Sequence, residues 1–280
     1  KNFFHITVYD PDTRTLAARA GDGLGDEGDL AFKVVAPTAG LYHIELTDGG
    51  RYDHKLDPYA LSVTLEEGSF VGYETESNSN SPHNQQLHER DQDVLNFGET
   101  MNGSLYSAAD HDWYSLEVES PGIVTLNLVS DGHLHESQDH DFFDLEIFDL
   151  NGAGNNVPLY HSQGNGSDID LEAALPDSGT YYVRVSTDGA HITDPYQLNA
   201  SFEAGGLDSI ETEINDSRGE ADELFLGNPV TGIISSDYTS WSDPDRDTDW
   251  FVFDVSAPGL LTIDLDSVGA TSNSKNFFHI

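Results

Sequence analysis

The sequence predicts an all-β chain of tandem antiparallel β-sandwiches, and three observations carry that prediction. Apolar and polar residues alternate along nearly every patterned segment, which is the strand period rather than the helical one. Turns rich in Gly, Asn and Asp separate those segments at short intervals. The chain also repeats itself: Lys1-Asn2-Phe3-Phe4-His5-Ile6 returns as Lys275-Asn276-Phe277-Phe278-His279-Ile280, a period of 274 residues from Lys1 to Lys275. Long fixed periods mark arrays, stalks and fibres.

The alternation places strands at 4–9, 41–46, 59–65, 114–118, 124–128, 143–148, 181–185, 197–202, 251–255 and 261–265. Asp48-Gly49-Gly50, Asp131-Gly132, Asn151-Gly152, Asn165-Gly166 and Asp188-Gly189 supply turns between them. Evenly spaced short strands with such punctuation argue for sandwiches. The helical candidates are two short stretches, 170–174 and 219–224. Residues 76–93 are polar without periodicity and read as a long surface loop, and Glu203-Ala204-Gly205-Gly206 reads as a linker.

A degenerate repeat lies inside the long one. Phe3 to Asp10 matches Phe142 to Asp149, Gly40-Leu41-Tyr42 matches Gly179-Thr180-Tyr181, and Asp57-Pro58-Tyr59 matches Asp194-Pro195-Tyr196. Asp112-Trp113-Tyr114 matches Asp249-Trp250-Phe251, and Pro121-Gly122 matches Pro258-Gly259. The unit is therefore expected to hold two homologous domains. Residues 71–204 form a complete sandwich, 205–280 the N-terminal half of the next, and 1–70 a C-terminal half completed by a neighbouring repeat.

Lys and Arg total 11 against 51 Asp and Glu, a formal charge of −40. Nucleic acid and anionic membrane surfaces need clustered cations, so neither is expected as a partner, and no apolar run is long enough to insert in a membrane. So much negative charge calls for bound divalent cations or a salty medium that screens repulsion beyond about 10 Å. There is no cysteine, which removes thiol chemistry and disulfides.

The densest acidic pattern is Asp243, Asp245, Asp247 and Asp249. On an extended chain these alternate onto one side, about 6.7 Å apart. Neighbours at that spacing repel by roughly 0.6 kcal/mol in water and by more when partly buried. A hard cation taking six to eight oxygens relieves the repulsion, which points to calcium; a solvated acidic surface is the competing reading. Thr248 stands where an EF-hand loop needs its glycine.

The order Glu211-x-Glu213-x-Asn215-Asp216, then Thr231-Gly232, Asp247-x-Asp249-Trp250-Phe251, a Pro-Gly turn and the Gly-Leu-Tyr and Pro-Tyr-Ala-Leu segments resembles the bacterial pre-peptidase C-terminal domain. That family includes the collagen-binding modules of clostridial collagenases. The resemblance covers nearly the whole chain, once per domain, and implies a jelly-roll-like, non-catalytic sandwich found in secreted or surface proteins. It also implies calcium ligands: Glu211, Glu213, Asn215, Asp216, Asp247 and Asp249 in one domain, and Glu74, Glu76, Asn78, Asp110 and Asp112 in the other. Ser79 stands where the pattern has Asp, so a weaker site is expected there.

Other candidates carry less. Residues 22–29 form an acidic glycine loop that occurs once, where calcium β-helices need tandem copies. His133, His135 and His140 could hold zinc or nickel, but the matching loop at 269–274 has no histidine. Alternation puts one member of each pair Trp113-Tyr114 and Trp250-Phe251 in the core, which weakens a carbohydrate platform. Asn102, Asn165, Asn199 and Asn215 fit the glycosylation pattern. No nucleophile motif and no phosphate-cradling loop is present, so no enzyme is expected.

The functional expectation is a repeat unit of an extracellular or cell-surface filament, adhesin stalk or fibre. It is stiffened by calcium and joined head to tail to identical neighbouring repeats on one continuous polypeptide. The alternative is an accessory module of a secreted hydrolase that binds a surface polymer, collagen or polysaccharide.

Overall fold

The computed structural model describes residues 4–20, 31–48, 59–68, 70–76, 78, 92–106, 110–130, 143–150, 154, 156–164, 168–187, 195–234 and 247–265. Nine strands between 93 and 204 build two facing sheets: β4 (Asp93–Val94), β5 (Thr100–Ser104), β6 (Asp112–Val118), β7 (Gly122–Ser130), β8 (Phe143–Leu150), β9 (Asn156–Gln163), β10 (Ile169–Leu175), β11 (Gly179–Thr187) and β12 (Pro195–Ala204). They follow β1 (Phe4–Tyr9), β2 (Thr15–Ala20) and β3 (His43–Asp48), and precede β13 (Asp222–Glu223) and β14 (Phe251–Val252). One sheet runs β10-β7-β12-β5 and the other β4-β6-β11-β8-β9. All pairings are antiparallel except that of β4 with β6.

The two sheets share one core. Leu116, Leu145, Ile147 and Val183 from one and Leu126, Leu128, Leu171 and Leu198 from the other are all at most 1% exposed. Each alternates with residues facing outward, so the period-two pattern is the cause of the sandwich. Burying each such side chain contributes about 1.5–3 kcal/mol.

The flanking segments repeat parts of this architecture. β2-β1-β3 is a three-stranded antiparallel sheet in which Val8 pairs with Ala17 and Ile44, as Ile147 pairs with Tyr160 and Val183. β13 runs parallel to β14 with Asp222 opposite Phe251, as β4 runs beside β6 with Asp93 opposite Tyr114.

Several expectations are corrected. Residues 170–174 are not helical but lie in β10: Ala and Leu favour helix locally, yet Ile169, Leu171 and Ala173 are buried while Asp170 and Glu172 are exposed, the strand period. Residues 219–224 form a turn and the short β13. Trp113 and Tyr114 are both buried, because Trp113 lies opposite Arg184 on β11, whose guanidinium sits 5.5 Å from its ring, with the Phe148 ring at 5.1 Å.

Residues 59–65 and 261–265 form no ladder, and their apolar side chains are exposed: Val63 is 71% and Ile263 64% accessible. The segments that match them, in β12 and β7, are buried and paired with each other. Loop 22–29, His133, His135, His140, Asn165, Asp243, Asp245 and Ser79 lie outside the described residues.

Candidate metal centre

Two carboxylate clusters form, built alike. In the first, Tyr73 bridges Asn102 and the Glu74 amide donates to the Asn102 carbonyl, so the entering segment runs beside β5. Glu74 is thereby laid on Gly103, where a Cβ would overlap its carboxylate, and accepts the Ser104 amide at 2.6 Å. In the second, Ile210 bridges Thr231, and Glu211 lies on Gly232 and accepts the Ile233 amide. Both clusters are closed from the other side by the segment ahead of the tryptophan. The Trp113 amide donates to the Asn78 carbonyl at 3.2 Å and the Trp250 amide to the Asn215 carbonyl at 3.1 Å.

The ligand-type oxygens of Glu74, Glu76 and Asp112 lie within 4.8 Å of one another, as do those of Glu211, Glu213 and Asp249. Asp110 is buried and its charge acts on Glu74, Glu76 and Asp112; Asp216 and Asp247 act in the same way on Glu213. Three of the expected ligands therefore gather at each of two points, with Asp110, Asp216 and Asp247 near enough for their charge to act. Asp216 also accepts the Thr248 amide at 3.0 Å.

None of Glu74, Glu76, Asp112, Glu211, Glu213 and Asp249 has an ion-pair partner among the described residues. Burial, then the neighbouring carboxylates, pushes Glu74 and Asp112 well above the ordinary range and Glu76 to about 10. Burial likewise lifts Glu211 to about 9, Glu213 to about 8, and Asp249 upward. Two ionised carboxylates this close repel by roughly 3 kcal/mol at an effective dielectric near 20.

The donor set fits a hard cation. Glu76 Oε1, Asn78 Oδ1 and Asp112 Oδ1 are buried without a hydrogen-bond partner, and so are Glu211 Oε2, Glu213 Oε1, Asn215 Oδ1 and Asp249 Oδ1. Orphaned buried polar groups are costly and rare, and here seven oxygens belong to residues of the two clusters, together with Asn78 Nδ2. Carboxylate and amide oxygens without sulfur or imidazole suit calcium. Burial of Asn215 removes it as a glycosylation acceptor.

Several residues of these sites escape linear reading. The Tyr196 hydroxyl lies 2.5 Å from Asp112 Oδ2 and 3.2 Å from Glu74 Oε2, with the Tyr114 hydroxyl 2.6 Å from it, so two phenols close the first cluster. Asp93 accepts the Thr75 amide at 2.6 Å and Asp222 the Thr212 amide at 2.7 Å, which holds each glutamate-bearing segment in place. Their signal is the shared Asp-x-Leu of Asp93-Val94-Leu95 and Asp222-Glu223-Leu224. The first cluster is the more enclosed despite Ser79, with Glu74, Glu76, Asn78, Asp110 and Asp112 all buried, whereas Glu213 and Asp249 are partly exposed.

The fold and the paired acidic sites describe a β-sandwich module with a carboxylate-lined entry loop. The family model of the bacterial pre-peptidase C-terminal domain matches residues 110–187, the stretch from Asp110 through β11. Among solved structures, the pre-peptidase C-terminal domain of collagenase from Bacillus anthracis is 17% identical, with a TM-score of 0.32 over 41% of this chain and 99% of that one. CorA, a surface-associated copper-binding protein of Methylomicrobium album BG8, is 7% identical, with a TM-score of 0.32 over 40% of this chain and 98% of that one. PliG of Aeromonas hydrophila, a periplasmic inhibitor of g-type lysozyme, is 16% identical, with a TM-score of 0.28 over 40% of this chain and 96% of that one. Scores this low carry no functional argument. No curated protein matches the sequence.

Proposed function

We propose that the chain is one period of an extracellular or cell-surface filament, stalk or fibre, in which residues 205–265 of one copy and 4–65 of the next fold together into a second sandwich. The observation that carries this reading is a pair of complementary apolar rows. In the complete sandwich Leu198, Ala200 and Phe202 pair with Leu128, Leu126 and Val124. Counting from Pro195 and Pro58, and from Pro121 and Pro258, the matching residues are Leu61, Val63 and Leu65, and Leu265, Ile263 and Leu261. All six are at least 47% exposed, while five of their six counterparts are buried, Phe202 only in part. Two such rows of matched register are a head-to-tail contact that does not close and so propagates.

Calcium at the two clusters ties each entering segment to the strand that carries the tryptophan. Glu211, Glu213, Asn215, Asp216, Asp247 and Asp249 would hold one ion, and Glu74, Glu76, Asn78, Asp110 and Asp112 the other. The ion supplies the positive charge that these carboxylates lack; the protein supplies the oxygens, the glycine seats and the enclosure. The reading is tested by Val63→Asp, which puts a charge in the apolar row. The unaltered chain should scatter light as a polymer at micromolar concentration and the variant as a monomer; a monodisperse unaltered chain rejects the filament.

The pre-peptidase C-terminal match at 110–187 favours a second reading, a non-catalytic accessory module that binds collagen or a polysaccharide. Retention of the Val63→Asp monomer on either polymer would support it.

A further inference from the structure

The complete sandwich meets the segments before and after it through the same kind of contact, and the two contacts differ at one decisive position. At the later joint, Ala174 of β10 bridges Thr212, and Tyr160 of β9 reaches across. Its hydroxyl donates to the Ala174 carbonyl at 2.9 Å, lies 3.1 Å from the Glu211 carbonyl, and accepts the Glu213 amide at 3.1 Å. One phenol thus grips the backbone of the two residues that carry the glutamates of the second cluster.

At the earlier joint the register of β1 with β2 puts Ala17 where that of β8 with β9 puts Tyr160, since Val8 and Ile147 are equivalent. Tyr73 there stands in the place of Ile210, ahead of Glu74 rather than Glu211. Lys33 stands in the place of Glu172, its Nζ 3.2 Å from the Tyr73 hydroxyl and 5.5 Å from its ring centre. Between Ala17 and Glu74 a cavity of about 260 Å³ remains, lined also by Leu16, Val35, Tyr73 and Tyr196. The corresponding space beside Tyr160 is about 70 Å³.

We propose that these are two versions of one domain–domain joint, a stiff one locked by Tyr160 and a compliant one hollowed by Ala17, so that the filament bends at alternate joints. The proposal rests on the tandem reading of residues 4–48 as the counterpart of 143–187. A side chain that fills its space and bridges three backbone groups permits few relative orientations; an unfilled contact permits more. Because Tyr160 holds the Glu211 and Glu213 backbone, the order of the second cluster and the angle of its joint change together.

The chain has no native cysteine, so paired labels can be placed cleanly. Spin labels at the exposed positions Glu119 and Asn228 span the Tyr160 joint, and labels at Ala39 and Glu119 span the Ala17 joint. Double electron–electron resonance on labelled chains diluted into unlabelled ones, in calcium, then reads the spread of each distance. The expected result is a narrow distribution across the Tyr160 joint and a broad one across the Ala17 joint. Tyr160→Phe, which keeps the ring and the fold, should broaden the first, and Ala17→Tyr should narrow the second. Equal widths in the unaltered chain, or widths that neither substitution changes, overturn the proposal. Chelation separates this claim from the cation reading: distributions indifferent to calcium count against the metal sites, while the inequality of the joints is decided by the widths themselves.

Discussion

The Glu211 carboxylate occupies the space that a Cβ on Gly232 would fill, and it is held there by the Ile233 amide. Glu74 stands in the same relation to Gly103 and Ser104. A glycine at such a position costs backbone entropy and leaves a gap in side-chain packing, and here a buried carboxylate fills the gap.

Gly232→Ala should therefore evict Glu211 from its seat. Calcium affinity at the second cluster is expected to fall at least about tenfold, equivalent to about 1.4 kcal/mol, when titrated calorimetrically. Unchanged affinity would show that Glu211 is not a ligand.

The pH dependence has a definite sign. Glu76, Glu211 and Glu213 are raised from a reference of 4.5 to about 10, 9 and 8. Groups raised on folding contribute stability that is complete below the reference value and is lost as pH rises through the folded values. The metal-free melting temperature should thus fall between pH 5 and pH 9. Calcium binds the ionised forms and releases protons, so the gap between loaded and metal-free melting temperatures should widen over the same range. Differential scanning calorimetry at constant ionic strength checks both trends; a metal-free curve that rises with pH would contradict them.

Asp112→Asn should act in opposite directions with and without metal. Replacing a buried carboxyl by a neutral amide removes the burial penalty that raises Asp112, so at pH 8 the metal-free variant should be more stable by on the order of 1–3 kcal/mol. The same change should weaken calcium binding at the first cluster. Chemical denaturation in chelator and in calcium measures both, and a variant that loses stability in both conditions would make Asp112 purely structural.

Calcium and sodium should not be interchangeable. An ion held at a hundredfold excess over its Kd stabilises the folded state by about 2.7 kcal/mol, whereas salt only screens. Sodium chloride at matched ionic strength should leave the chelated protein at its lower melting temperature. Full recovery would mean that the acidic clusters are screened surface.

The strands were readable because alternation along residues such as Tyr114–Leu116–Val118 reports a two-sided environment directly. The clustering of Glu74, Glu76 and Asp112, and of Glu211, Glu213 and Asp249, was readable too, because these residue types recur in the same order in both stretches of sequence. β10 was misread because Leu171, Ala173 and Ala174 favour helix, and only the neighbouring β7 decides the matter. Burial of Trp113 depends on Arg184, a partner that no local pattern names. Asp93 and Asp222 share only the short Asp-x-Leu signal, and the polar stretch before Asp93 is much longer than that before Asp222, so their equivalence becomes plain once the strands are paired. Tyr160 looks like an ordinary core aromatic until its hydroxyl is followed to Glu213.

The central claim, a sandwich shared between consecutive copies, commits to a register that a cross-link can read. Ala200 faces Leu126 within the complete sandwich, so Val63 of one copy should face Ile263 of the preceding one. A chain carrying both Val63→Cys and Ile263→Cys should, on mild oxidation, give a ladder of covalent oligomers on a non-reducing gel. Val63→Cys paired instead with Thr262→Cys, whose side chain faces the opposite side of that strand, should give none. A ladder from the first pair alone is the predicted result; a cross-linked species confined to the monomer, or no cross-link at all, would contradict the account.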